Sequence, residues 1–210
     1  MRRRAVLLAL LLGAASALTA RDGRLSVTVS DARDRTYLPA AFGAWHEAER
    51  DLRSLGLTMP DVRLEAASSA ADFARRTGEP WFVAATTRGT VIHTQRLGAL
   101  AAQGSLAITI RHEAFHAAQP PALPRWLAEG LARVFSGEGG HDPLSPTGLE
   151  QVPEEELDRL LANRTGPDLP AAYREATRRA RQLVGAQGWA RVLARREVSR
   201  SPGFNASPRR

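Results

Sequence analysis

The chain has 210 residues, with 29 lysine plus arginine, 22 aspartate plus glutamate, a formal net charge of +7 and no cysteine. Without cysteine, disulfide bracing and lipid attachment at a thiol are excluded, so the fold has to rest on an ordinary core, which this length can supply in one domain. Every basic residue is arginine, which points to compositional bias, and with no basic stripe interleaved with aromatics the chain is not expected to bind nucleic acid.

Residues 1–20 (MRRRAVLLALLLGAASALTA) join an arginine cluster, an apolar run from Ala5 to Leu12 and small residues ending in Ala15-Ser16-Ala17. This is the layout of an export signal, with cleavage expected after Ala17 or Ala20. The apolar stretch is about 16 residues, short of the roughly 20 that a spanning helix needs. Cleavage is therefore favoured over a permanent anchor, and membrane contact is limited to a transient one through this segment. The expected organisation is a signal peptide over 1–20, one folded domain over 21–198 and a disordered polar tail over 199–210. Removing 1–20 takes away three arginines and no acid, lowering the formal charge from +7 to +4. The product is expected outside the cytoplasm, periplasmic or secreted.

Residues 24–30 alternate Leu25, Val27 and Val29 with polar partners, as a half-buried strand does. A helix is expected over 37–55, a second alternating strand over 62–66 and a second helix over 68–77, with Ala70, Phe73 and Ala74 on one face. Strands over 81–85 and 90–94, joined through 86–89 as a hairpin, complete a small sheet. His46 falls on a helix surface and His93 on a strand face, and neither is assigned a functional role.

Residues 106–119 (LAITIRHEAFHAAQ) set His112, Glu113 and His116 among apolar and small side chains, and Pro120-Pro121 stop the helix. Four residues are slightly more than one helical turn, so the two imidazoles stack on one face and can grip one ion. Glu113 lies beside them, where its carboxylate can reach a water at that ion. Burying three such groups is costly unless a metal compensates them.

A catalytic zinc site needs a third protein ligand and an open position. The downstream candidates are Glu129, Glu138, His141 and Asp142. The pattern HExxHxxGxxH fails, because Gln119 occupies the glycine position and no histidine follows before Arg125. Residues 123–136 (LPRWLAEGLARVFS) form a second helix, with Glu129 inside its apolar stretch beside Gly130, where another backbone can approach closely. The glycine-rich 136–140 is expected to be a flexible turn, unsuited to holding a ligand. Glu129 is therefore assigned as the third ligand, the competing role being an ion pair with Arg125 or Arg133.

The rest is expected to be helical: a short acidic-headed helix over 153–161, a helix opening at Pro170 with Tyr173, Ala176, Ala180, Leu183 and Val184 on one face, and a last helix carrying Trp189, Val192 and Leu193. Tyr173, on the inward face, can donate a hydrogen bond to a developing oxyanion.

The segments HEAFH (112–116) and WLAEG (126–130) resemble the gluzincin metallopeptidases, in particular the peptidase MA-like group. The resemblance covers roughly 25–193, but only these two segments are specific. It implies an α+β, zincin-like fold: a small N-terminal mixed sheet with helices, a central metal-binding helix and a helical C-terminal half. It also implies Zn²⁺ held by His112, His116 and Glu129, with Glu113 as general base, and a tyrosine such as Tyr173 at the oxyanion. The last strand of the sheet would then wall the cleft and pair with an extended peptide. The short, proline-rich 117–123 leaves little material for substrate pockets. The expected function is an exported zinc peptidase acting on a peptide or protein; the alternative is a catalytically idle zinc-containing module at the cell envelope that binds a peptide or protein.

Overall fold

The computed structural model describes residues 17–195. The expectations for residues 1–16 and for the tail over 199–210 lie outside the described residues.

The N-terminal half is built on a five-stranded mixed sheet with strand order β1-β2-β3-β5-β4. Its strands are β1 (Leu18–Asp22), β2 (Leu25–Val29), β3 (Val62–Ala66), β4 (Ala85–Arg88) and β5 (Val91–Thr94). β1 pairs antiparallel with β2, β2 and β3 pair in parallel, β3 and β5 pair in parallel, and β4 returns antiparallel on the outer edge. The strict alternation in β2 and β3 buries Leu25, Val27, Val29, Val62, Leu64 and Ala66. β1 starts at Leu18, inside the segment assigned to export. A boundary after Ala17 leaves that strand whole, whereas one after Ala20 removes its first three residues.

The parallel connections carry α1 (Leu38–Ser54) and α2 (Ala70–Thr77). Asp72 is held by the Ser68 and Ser69 segment that caps α2, and Gly78 ends it at φ +74°. The edge hairpin differs from the expected one. Residues 81–84 are not strand, and pairing begins at Ala85 and closes through Gly89 and Thr90, with Gly89 at φ +60°. Gln95 takes the place of a ladder partner, its amide donating to the carbonyls of Trp81 and Val83, and Trp81 and Phe82 remain exposed.

The C-terminal half is helical: α3 (Leu97–Ala102), α4 (Leu106–Ala118), α5 (Arg125–Ser136), α6 (Glu154–Ala162), α7 (Leu169–Gln187) and α8 (Trp189–Leu193). α4 lies against α1, with Arg111 donating to Asp51 at 2.9 Å, and buries Ile110, Ala114 and Phe115. Ile110 and Phe115 each contribute roughly 1.5–3 kcal/mol. Asp158 of α6 accepts from the Trp126 backbone N–H at 2.5 Å and so caps the start of α5. α5 and α7 cross at Gly130, where a methyl group would overlap the Ala176 carbonyl and the Ala180 side chain. Among the described residues no helix is long and apolar enough to cross a membrane.

Candidate metal centre

α4 presents His112 and His116 on the side turned away from the core, with 14% and 15% of their side chains exposed. The helical spacing brings their Nε2 atoms to 3.0 Å. α5 supplies Glu129, whose Oε2 lies 3.6 Å from His112 Nε2 and 3.5 Å from His116 Nε2. Next to it, Gly130 lets α7 approach α5 closely. Among the described residues these three form the cluster able to hold a metal ion.

The circle through the three donor atoms, from sides of 3.0, 3.5 and 3.6 Å, has a radius of about 2.0 Å, the bond length of an imidazole or carboxylate ligand to zinc. In a tetrahedral site with such bonds, neighbouring ligand atoms stand about 3.3 Å apart, close to all three separations.

The outer nitrogens agree with this geometry. His112 Nδ1 lies 3.0 Å from Glu138 Oε2, and His116 Nδ1 lies 3.1 Å from Gln119 Oε1. Both partners are acceptors, so each Nδ1 carries the hydrogen, and a ring in its neutral form turns the lone pair of Nε2 inward. Two lone pairs 3.0 Å apart repel unless a proton or a cation sits between them. Burial acts to lower the His112 pKa, but hydrogen bonds to Glu129 and Glu138 prevail and push it up to about 10. Burial likewise acts to raise Glu129, yet the imidazoles of His116 and His112 hold its carboxyl well below the usual range. The cluster thus keeps a positive charge at its centre, and its two imidazoles and one carboxylate suit zinc among other divalent ions.

Glu113, 6% exposed, lies beside the cluster, and its Oε2 accepts a hydrogen bond from Thr87 Oγ1 of β4 at 2.6 Å. That bond ties the sheet edge to α4 and holds the carboxylate. The cleft in front has a volume of about 1300 Å³ and is walled by β4 on one side and by Glu129, Arg164 and Tyr173 on the other. The short link between α4 and α5 forms part of its lining through Gln119, Pro121 and Leu123, and β4 and α7 contribute further walls. Tyr173 lines the cleft, and its hydroxyl accepts from Arg164 Nη1 at 3.1 Å. Burial and the nearby Glu129 charge push the phenol pKa upward, so it stays protonated.

Glu138 corrects one expectation. The segment 136–140 is not a loose turn: residues Glu138–His141 form a 3-10 helix after Gly137 at φ +83°. Glu138 pairs with Arg133, which also holds Asp142 at 2.5 Å and Thr177 Oγ1 at 2.8 Å. Gly139 fits against Thr177 where a side chain would collide. Arg133 is committed there, and Glu129 stands within ion-pair distance of His112 and His116. Of the other candidates for the third ligand, Glu138 stands behind His112, Asp142 pairs with Arg133, and His141 lines the cleft outside the cluster.

His46 binds Asp22 at 2.9 Å, and His93 stands 3.5 Å from Glu65 on the neighbouring strand, both away from the cluster. Thr87, Gln119 and Arg164 were missed from sequence, and Glu138 was considered there only as a candidate third ligand. Only Gln119 carried a signal, standing three residues after His116 at the helix end. Comparison with protein-family models, curated proteins and solved structures finds no match to this chain.

Proposed function

We propose that this protein is an exported zinc-dependent peptidase of gluzincin type with a zincin-like fold, hydrolysing peptide bonds in a peptide or protein held in the cleft. The observation that carries this reading is the convergence of His112 Nε2, His116 Nε2 and Glu129 Oε2 on a circle of about 2.0 Å radius, with Glu113 anchored beside it. When bound there, zinc would polarise the scissile carbonyl and acidify a water.

The chain's own groups would do the rest. Glu113, held by Thr87, takes a proton from the attacking water and passes it to the departing amine, so that one carboxylate serves as base and then as acid; such transfer is worth roughly 100- to 10,000-fold. Tyr173 donates its hydroxyl hydrogen to the oxygen that gains charge as the carbonyl is attacked. The free edge able to pair with an extended substrate backbone is that of β4, not that of the last strand as expected, because β5 lies inside the sheet between β3 and β4. Cleavage after Ala17 would leave β1, which starts at Leu18, intact.

The test is digestion of a broad peptide library by the zinc-loaded protein, read by mass spectrometry. Cleavage is expected, abolished by a chelator and by Glu113→Gln, which keeps the zinc. A Glu113→Gln variant cleaving at the wild-type rate refutes the mechanism. A protein that holds zinc and cleaves nothing is the idle binding module instead.

A further inference from the structure

We infer that Arg164 is a positioning residue of this site, one that turns the Tyr173 hydroxyl hydrogen into the cleft to bind an anionic oxygen on the ligand. The inference rests on the metal reading above and extends it to a residue outside the metal cluster.

The argument is one of donors and acceptors. A guanidinium carries only N–H donors and no acceptor. The 3.1 Å contact between Arg164 Nη1 and Tyr173 Oη therefore consumes a lone pair of the phenol and cannot consume its hydrogen. Among the described residues no acceptor takes that hydrogen, although the side chain lines the cleft and feels the charge of Glu129. The hydrogen is left pointing away from Arg164, towards whatever occupies the cleft.

Arg164 is held from behind. Its Nε stands 3.7 Å from Glu79 Oε2, on the segment that follows α2, so it reaches from the helical half to the sheet half. The Tyr173 ring is fixed independently, with the Arg133 guanidinium 5.6 Å from its centroid. A tyrosine fixed at its ring and polarised at its oxygen by a cation is a stronger and better-aimed donor than a free one. Its ligand is an oxygen that bears negative charge, as on a carboxylate or on a carbonyl under attack.

The test uses phenylphosphonate, a small tetrahedral oxyanion, titrated calorimetrically into the zinc-loaded protein and into Arg164→Met, Arg164→Lys, Tyr173→Phe and the double variant Arg164→Met/Tyr173→Phe, with zinc content checked in each. Arg164→Met and Tyr173→Phe are each expected to weaken binding about tenfold, the scale of a hydrogen bond to a charged group. Arg164→Lys, which can still donate to the phenol, stays within about threefold of wild type, which a merely structural role for Arg164 does not predict. In the Tyr173→Phe background, removing Arg164 costs no more than about threefold further, because its route of action is already gone. Two independent tenfold losses that multiply to about a hundredfold overturn the inference, as does Tyr173→Phe binding at wild-type strength. If the wild-type protein takes up no metal, the metal reading falls on its own, and the same set of variants titrated without zinc decides the role of Arg164.

Discussion

Metal uptake should depend on pH in a way that ordinary histidine ligands do not produce. In the metal-free protein Glu129 and Glu138 hold the His112 imidazolium up to about pH 10, so an ion can take its Nε2 only after displacing that proton. Affinity for zinc should therefore rise tenfold per pH unit as long as the pH is well below 10, or about 100-fold between pH 6.5 and 8.5. A histidine with the usual value of 6.5 would level off above about pH 7. The sign carries over to stability: a raised pKa favours the metal-free fold below about pH 6.5, and that contribution disappears as the pH climbs to about 10. The assay is competition against a chromophoric chelator of known proton equilibria, with proton release counted by calorimetry in buffers of different ionisation enthalpy. One proton per ion is expected at pH 7.5. An affinity flat from pH 7.5 to 8.5, with no proton released, refutes the electrostatic account of the cluster.

Three further outcomes follow from named contacts. Glu138→Gln removes the carboxylate behind His112 Nδ1 and should weaken zinc binding roughly 10- to 100-fold in the same competition; unchanged affinity would mean that Glu138 does not orient the ring. Gly130→Ala should destabilise the metal-free protein by about 1–3 kcal/mol in urea, because the added methyl meets the Ala176 carbonyl, and a wild-type midpoint would contradict the close crossing of α5 and α7. Burial acts to raise the Glu175 carboxyl, but Arg178, Arg179 and Thr147 hold it down at about 2, so its contribution is present above its unfolded value of 4.5 and is lost as the pH falls to about 2. Urea titrations between pH 5 and 2.5 should show an acid-sensitive loss on the order of 2 kcal/mol that Glu175→Gln lacks, and parallel curves for the two proteins would dismiss it.

What was legible in the sequence was whatever a local period enforces. β3 was found at its true ends because Val62, Leu64 and Ala66 alternate with Arg63 and Glu65, and His112 and His116 because helical spacing alone brings them together. Glu129 was found through its neighbour, since Gly130 marked a close approach that α7 in fact makes. The misses depend on distant partners. Glu138 looked loose among glycines, yet Arg133 and Thr177, 5 and 39 positions further along or back in the chain, hold that turn rigid. β1 was absorbed into the apolar run before it, because an edge strand and the end of a signal segment share small and apolar residues. The first strand of the edge hairpin was started four residues early, as the aromatic pair Trp81 and Phe82 has high strand propensity but is exposed, whereas the second was placed within one residue.

The central claim is that His112, His116 and Glu129 close on one ion. Elemental analysis of the purified protein tests it most directly, with X-ray absorption at the zinc edge on the same sample. One zinc per chain is predicted, with two nitrogen and one oxygen protein ligands at about 2.0–2.2 Å, and loss of the ion in His116→Ala and Glu129→Ala. A chain without metal, or a Glu129→Ala variant that keeps its zinc and its ligand shell, would contradict it.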